Sequence, residues 1–254
     1  LYSTILFEYI FISNLMFLIG FLDDFKIQTS PSKRLLLMII FLFFSIYLLP
    51  VKISNIDIPF LEIFLQNNII STFFVLLCFL FIINGANLID GFNGLLTINL
   101  IIINTVLAYI NINSGYHEFS TFLIAQIIIL ISFLIFNFPS SKIFLGDSGS
   151  YLIGSLVALN TIITNNLNPN ISSFFFCILL FYLFFEVFFS FIRKILQRKS
   201  PVHPDSSHLH MLSYQIIVPI LGKEKGNYFN SLFINIVYLI LILPGLYFTE
   251  DPTI

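Results

Sequence analysis

Apolar stretches of spanning or near-spanning length recur along almost this whole sequence, at 5–22, 35–49, 69–83, 95–112, 119–138, 150–163, 171–192 and 229–248. A helix needs about 20 mainly apolar residues to cross the hydrocarbon core of a bilayer, and irregular backbone cannot face lipid because its N–H and C=O groups would go unpaired. The chain is therefore read as an all-α integral membrane protein, a polytopic helical bundle with eight spans, forming one domain over 1–254. Three runs are short for a crossing, so their helices are expected to recruit neighbouring polar residues or to tilt. Composition supports the class: 58% of residues are hydrophobic and 9% charged, against roughly a quarter charged in a soluble domain. A net charge of −2 gives no argument for nucleic acid as a partner. Cys78 and Cys177 both lie in apolar runs and read as small packing residues.

The cations test the span count. With the spans alternating in direction, Lys26, Lys33, Arg34, Lys142, Arg193, Lys194, Arg198, Lys199, Lys223 and Lys225 fall in loops on one side, and Lys52 alone falls on the other. Short loops rich in Lys and Arg stay in the cytoplasm. A miscounted span would scatter the cations over both sides, so the asymmetry predicts both the count and a cytoplasmic placement of the basic loops.

The acids follow the same side. Asp23 and Asp24 end a span in FLDDF, Asp90 ends one in NGANLIDGFNGL, and Asp147 begins one in FLGDSG. Any one acid at a membrane interface reads equally well as a solvated helix cap. Taken together, short loops on one side are gathered by helix packing, and adjacent carboxylates there call for a cation, most simply a hard divalent ion with oxygen ligands. Gly91, Gly94, Gly146 and Gly149 flank these acids and would let backbone approach a phosphate. Asn84 and Asn87 stand three apart at the end of the same span as Asp90 and offer amides on neighbouring positions. The loop SPVHPDSSHLHML adds His203, His208 and His210; a zinc site is the competing reading, disfavoured because no Cys is near. Glu186, inside the seventh run, is an intramembrane ionisable residue and hence a functional candidate.

GFLDD, NGANLIDGFNGL, KIFLGDSGS and PDSSHLH, in that order and on one side, resemble the motifs of the polyprenyl-phosphate N-acetylhexosamine-1-phosphate transferase superfamily, glycosyltransferase family 4. The resemblance runs over nearly the whole chain. PDSSHLH is closer to the undecaprenyl-phosphate GlcNAc-1-phosphate transferase-like branch than to the branch that takes a muramoyl-pentapeptide donor. The family implies about ten spans, so eight, together with a first residue that is not Met, are read as an amino-terminally truncated chain. It also implies transfer of a sugar-1-phosphate from a UDP-N-acetylhexosamine to polyprenyl (undecaprenyl) phosphate, releasing UMP, at the cytoplasmic face of a bacterial inner membrane. Magnesium, replaceable by manganese, is the implied cofactor, and a homodimer is an admitted assembly.

By the same resemblance Asp23, Asp24, Asp90 and Asp147 are the catalytic acids, with Asp147 and Asp23 as metal ligands. Asn84, Asn87, Phe144, Lys33, His208 and His210 are substrate-binding, with Phe144 placed to stack on uracil and the histidines over the diphosphate. Three positions depart from the family's pattern: Asn93 where a second acid is common, Met211 where another His is common, and Lys26 after Phe25. The alternatives are a membrane transporter and a transferase fragment that has lost turnover. A transporter would carry its polar groups near the midplane, whereas the acids here sit at one interface.

Overall fold

The computed structural model describes residues 2–25, 30–49, 51–200 and 207–246, and among these there are helices and no strand. The chain runs through α1 (Tyr2–Asp24), α2 (Pro31–Leu48), α3 (Pro59–Leu65), α4 (Asn68–Ile89), α5 (Leu95–Asn113), α6 (His117–Asn137), α7 (Gly146–Leu167), α8 (Ser173–Leu179), α9 (Phe181–Leu196), α10 (Leu209–Leu221) and α11 (Lys223–Ile242). Lys26, His203, Asp205, Pro201 and Pro204 lie outside the described residues. Local signals fix several starts. Ser30 caps α2, with Pro31 in its first turn, and the Asn67 side chain accepts from the N–H groups of Ile69 (3.0 Å) and Ile70 (3.3 Å) at the start of α4.

Each of the eight apolar runs becomes helix, but they are not equivalent. Six helices among the described residues are long and apolar enough to cross a membrane, and a seventh crossing is made if α8 and α9, bent by 72° at Leu180, count as one. The run at 150–163 is the exception: α7 has the length, yet Ser, Thr and Asn lower its apolarity. Its polar side chains point inward. Asn160 Nδ2 donates to Asn104 Oδ1 (2.9 Å) and Gln126 Oε1 (2.8 Å), Tyr9 Oη donates to Asn160 Oδ1 (2.5 Å), and Asn111 Nδ2 donates to Thr164 Oγ1 (2.9 Å). Hydrogen bonds of this kind hold membrane helices together where lipid gives no hydrophobic drive. The lipid side is carried by exposed residues such as Ile128, Ile129 and Ile135 on α6 and Phe233 and Ile240 on α11.

α7 is the hub, packed by α1, α4 and α5. The crossing with α1 is close because Gly20 faces the carbonyl of Asp147: a Cβ there would overlap that carbonyl and lie 2.5 Å from Ser148 Cα. This contact brings the end of α1, with Asp23 and Asp24, onto the first turn of α7. Lys33, Arg34, Lys142, Arg193, Lys194, Arg198, Lys199, Lys223 and Lys225 lie in or beside the loops at this end of the bundle. Lys52 lies at the opposite end, bonded to Asn68 Oδ1 at 2.7 Å.

Candidate active site

The sequence L-G-D-S-G places a glycine before the acid for a steric reason. Gly146 has φ +67°, and an added Cβ would lie 2.8 Å from Asp24 Oδ2. With that space open, the Asp24 carboxylate settles on the start of α7. It accepts the N–H of Asp147 on Oδ1 (3.1 Å) and, on Oδ2, the N–H (2.9 Å) and hydroxyl (2.5 Å) of Ser148. A carboxylate is favoured there by the unpaired N–H groups and the positive end of the helix dipole. Asp24 thus latches α1 to α7.

Asp147 faces the other way. Its Oδ2 is ion-paired to Arg34 Nη1, which also donates to Asp23 Oδ2 at 2.6 Å. Asn87 Nδ2 donates to Asp147 Oδ1 (2.8 Å) and to Ser150 Oγ (3.1 Å), fixing the carboxylate from α4. Three helices and the first turn of α2 therefore converge on one carboxylate. Arg34 Nε is buried without a hydrogen-bond partner, so the guanidinium keeps an unused donor.

Asp90 caps the end of α4 beyond the span. Burial pushes its carboxyl up from the ordinary 3.8 to about 7, and the negative charges of Asp147 and Asp24 push in the same direction. The sign of the linkage follows. A carboxyl whose folded pKa is raised binds more protons folded than unfolded, so stability falls as pH rises from about 4 and the loss is complete above about 7. Asp90→Asn is expected to remove this slope and to be more stable than the parent at pH 8. Thermal unfolding in detergent at intervals from pH 4 to 8 reads this directly, and parallel slopes for the two proteins would refute it.

The loop after Asp90 is tied down on both sides. Asn93 Nδ2 donates to Pro139 C=O (2.6 Å), Asn93 N–H donates to Asn227 Oδ1 (2.9 Å), and Gly94 N–H donates to Asn137 Oδ1 (2.7 Å). Asn93, the departure noted in the sequence, is committed to joining loops.

The structure brings Asp23, Asp24, Asn87 and Asp147 into direct or shared contact, with Asp90 near enough to feel their charge. Other expected residues stand apart. Asn84 Nδ2 is bonded to Leu80 C=O in its own helix (2.7 Å), Lys33 is exposed, and Phe144 is 69% exposed in the loop before α7. The histidines differ most from expectation. His208 and His210 are 3% and 0% exposed and do not lie open over the acids; they pack inside the bundle around Glu186, His208 Nδ1 being 2.9 Å from its Oε2. The physical reason is the carboxylate: a buried acid needs a hydrogen-bonded partner, and the His208 ring supplies it, with His210 Nδ1 3.4 Å from the other oxygen.

Sequence reasoning treated Arg34 as one topogenic cation among ten and passed over Ser148 and Ser150. The position of Arg34 in the first turn of α2, directly after the loop carrying the paired acids, was the available signal. Among the described residues no group of three His, Cys, Asp or Glu is placed to hold a metal ion. Two carboxylates do share one cation, however. Magnesium is commonly held by one or two carboxylates with water and substrate phosphate making up the rest, so the donor set of Asp23 and Asp147 fits that ion.

A family model described as glycosyl transferase family 4 matches residues 6–165. Among curated proteins, an undecaprenyl-phosphate alpha-N-acetylglucosaminyl 1-phosphate transferase of Thermotoga maritima is 25% identical, covering 89% of this chain and 73% of its own length. A phospho-N-acetylmuramoyl-pentapeptide-transferase of Clostridium perfringens is 34% identical over 57% of this chain and 48% of its own. One from Staphylococcus carnosus is 30% identical over 58% and 50%. The match thus spans about half the length of the latter two relatives.

Proposed function

The chain belongs to glycosyl transferase family 4, and from that premise we propose that it transfers an N-acetylhexosamine-1-phosphate from a UDP-sugar to polyprenyl phosphate, releasing UMP. The observation that carries the reading is the convergence of Asp23 and Asp147 on Arg34, with Asn87 holding Asp147, beside a latched helix start. The names of the relatives support an undecaprenyl-phosphate acceptor and a phospho-N-acetyl sugar. The broad coverage by the Thermotoga relative favours the simple N-acetylglucosamine donor. The crowding of Lys and Arg at the site's end supports a cytoplasmic active face in a bacterial inner membrane.

In this reaction an oxygen of the lipid phosphate attacks the sugar-linked phosphorus of the donor. The bond from that phosphorus to the bridging oxygen breaks, and UMP leaves with the bond's electrons. Two anions must meet, so the demand on the protein is charge neutralisation and alignment. Arg34 and Lys33 draw the diphosphate to the start of α2. Asp24 occupies the start of α7, which therefore serves as a rigid wall rather than as a phosphate cradle. Asp90, with a pKa near 7, is poised to take a proton from the acceptor phosphate, whose second ionisation lies near pH 6. Exposed Phe144 offers a ring face for uracil, and Asn87 holds Asp147 in place, with Asn84 one turn deeper. Asp23 and Asp147 would hold magnesium, which when bound would supply Lewis-acid stabilisation of charge on the diphosphate.

UMP release from UDP-GlcNAc, with undecaprenyl phosphate and magnesium in detergent, tests the proposal. A lipid-linked sugar phosphate formed in step with UMP is the expected result, and no UMP across several UDP-sugars would overturn it. The metal is tested separately through Arg34→Ala. Removing the shared cation leaves the Asp23 and Asp147 carboxylates repelling one another. The variant is expected to melt several degrees lower in metal-free buffer and to regain more from magnesium than the parent does, since a ligand at about 100 times its Kd contributes about 2.7 kcal/mol. Melting curves of both proteins that ignore magnesium would remove the ion from the proposal.

A further inference from the structure

Deeper in the bundle than the acids lies a second polar group, sealed from solvent. Glu186 on α9 is 2% exposed and lies between the two histidines. Its Oε2 lies 2.9 Å from His208 Nδ1; its Oε1 accepts the Leu209 N–H at 3.0 Å and lies 3.4 Å from His210 Nδ1. The two imidazoles stack with centroids 5.5 Å apart and planes 6° from parallel. His210 in turn meets the ring of Phe92 edge to face at 5.4 Å, and Phe92 meets Tyr214 at 5.0 Å. Phe92 is two residues from Asp90. The same segment is pinned from outside by Arg193 Nη1 on Ser207 C=O (2.6 Å) and Asn230 Nδ2 on His210 C=O (2.8 Å).

A carboxylate only accepts hydrogen bonds, so the contact at 2.9 Å requires a proton on His208 Nδ1. In the neutral ring this puts the lone pair on Nε2. The contacts then run without a gap from Glu186 through His210 and Phe92 to the loop that carries Asp90. We propose that Glu186 is a positioning residue of the transferase site: it sets the tautomer of His208, anchors His210, and through Phe92 fixes the loop of Asp90. The inference rests on the transferase reading above. A plain tether between α9 and α10 would need the hydrogen bonds but would leave the chemistry indifferent to the tautomer.

The test uses the full chain in detergent micelles with imidazole nitrogen-15 labelling, in the parent, Glu186→Gln and Glu186→Asp. At a pH where histidine is neutral, His208 of the parent is expected to show a protonated Nδ1. In Glu186→Gln, with the amide oxygen accepting the Leu209 N–H, the NH2 group is left to donate to His208 Nδ1, and the proton is expected to move to Nε2. UMP release by this variant is expected to fall about 10- to 100-fold in kcat, with KM for the UDP-sugar within about twofold of the parent because the donor's own contacts are elsewhere. Glu186→Asp keeps the charge and should recover the Nδ1 proton and part of kcat.

An unprotonated His208 Nδ1 in the parent overturns the proposal without any variant. A tautomer shift with kcat unchanged also overturns it and leaves a tether. If Glu186→Gln fails to fold, the parent spectrum and Glu186→Asp decide. A parent that releases no UMP removes the transferase reading, and the histidine clamp is then judged by the tautomer alone.

Discussion

Asp147→Asn is expected to lower the rate of UMP release by about 100- to 1,000-fold, the scale on which a single preorganised electrostatic group acts in a transition state, while the protein still folds. The substitution keeps the shape of the side chain. The backbone N–H of residue 147 still reaches Asp24 at the start of α7, so the latch between α1 and α7 survives. What disappears is the negative oxygen shared with Arg34 and oriented by Asn87. Arg34 is then left with Asp23 alone, and the pair of carboxylates able to hold a divalent ion becomes one. The loss should lie in kcat more than in KM for the sugar donor, because uracil and sugar are bound by other groups. Full activity in the variant, with metal dependence unchanged, would move the chemistry away from this carboxylate.

The second large effect is expected at an uncharged residue. Gly20→Ala places a methyl group against the Asp147 carbonyl and 2.5 Å from Ser148 Cα, both backbone positions that cannot rotate aside. α1 must move outward from α7. Overpacking of this kind costs about 1–3 kcal/mol, and here the displaced end carries Asp23 and Asp24. Thermal stability in detergent and UMP release should fall together, the latter by at least tenfold, since about an ångström of misplacement can cost 100-fold. Gly91→Ala is the stability control, because a Cβ at Gly91 meets nothing within 4 Å and its backbone has no positive φ. Equal melting temperatures for Gly20→Ala and the parent would show that α1 is not held to α7 as described.

The bundle was legible in the sequence because lipid permits so few structures: a run such as 119–138 has no soluble reading, and the Lys and Arg residues that alternating spans put on one side do lie at one end of the bundle. The convergence of the acids was legible for the same reason, since loops at one end of a packed bundle must meet. Two features were hidden. The 72° bend at Leu180 has no Pro or Gly to announce it. The burial of the histidines was hidden because a polar loop reads as exposed, while the acid that His208 and His210 pack around lies 22 and 24 residues earlier, on another helix. Glu186 stood out as an ionisable residue in a span, but a span shows its own neighbours and not the loop that folds back onto it. Arg34 could be placed beside Asp23 and Asp24 from its position after their loop, but not beside Asp147, 113 residues further along.

The polar interior of α7 has a consequence for how the chain reaches its membrane. Asn160 and Asn165 are hidden by neighbouring elements, Asn160 bonding to Tyr9 on α1, Asn104 on α5 and Gln126 on α6, and on an isolated helix these amides would meet hydrocarbon without those partners. Such a segment cannot leave the translocon as an independent unit and find its partners later. Its entry into lipid depends on helices already made, so for this chain insertion and tertiary assembly are one event at the helix that carries the central carboxylate.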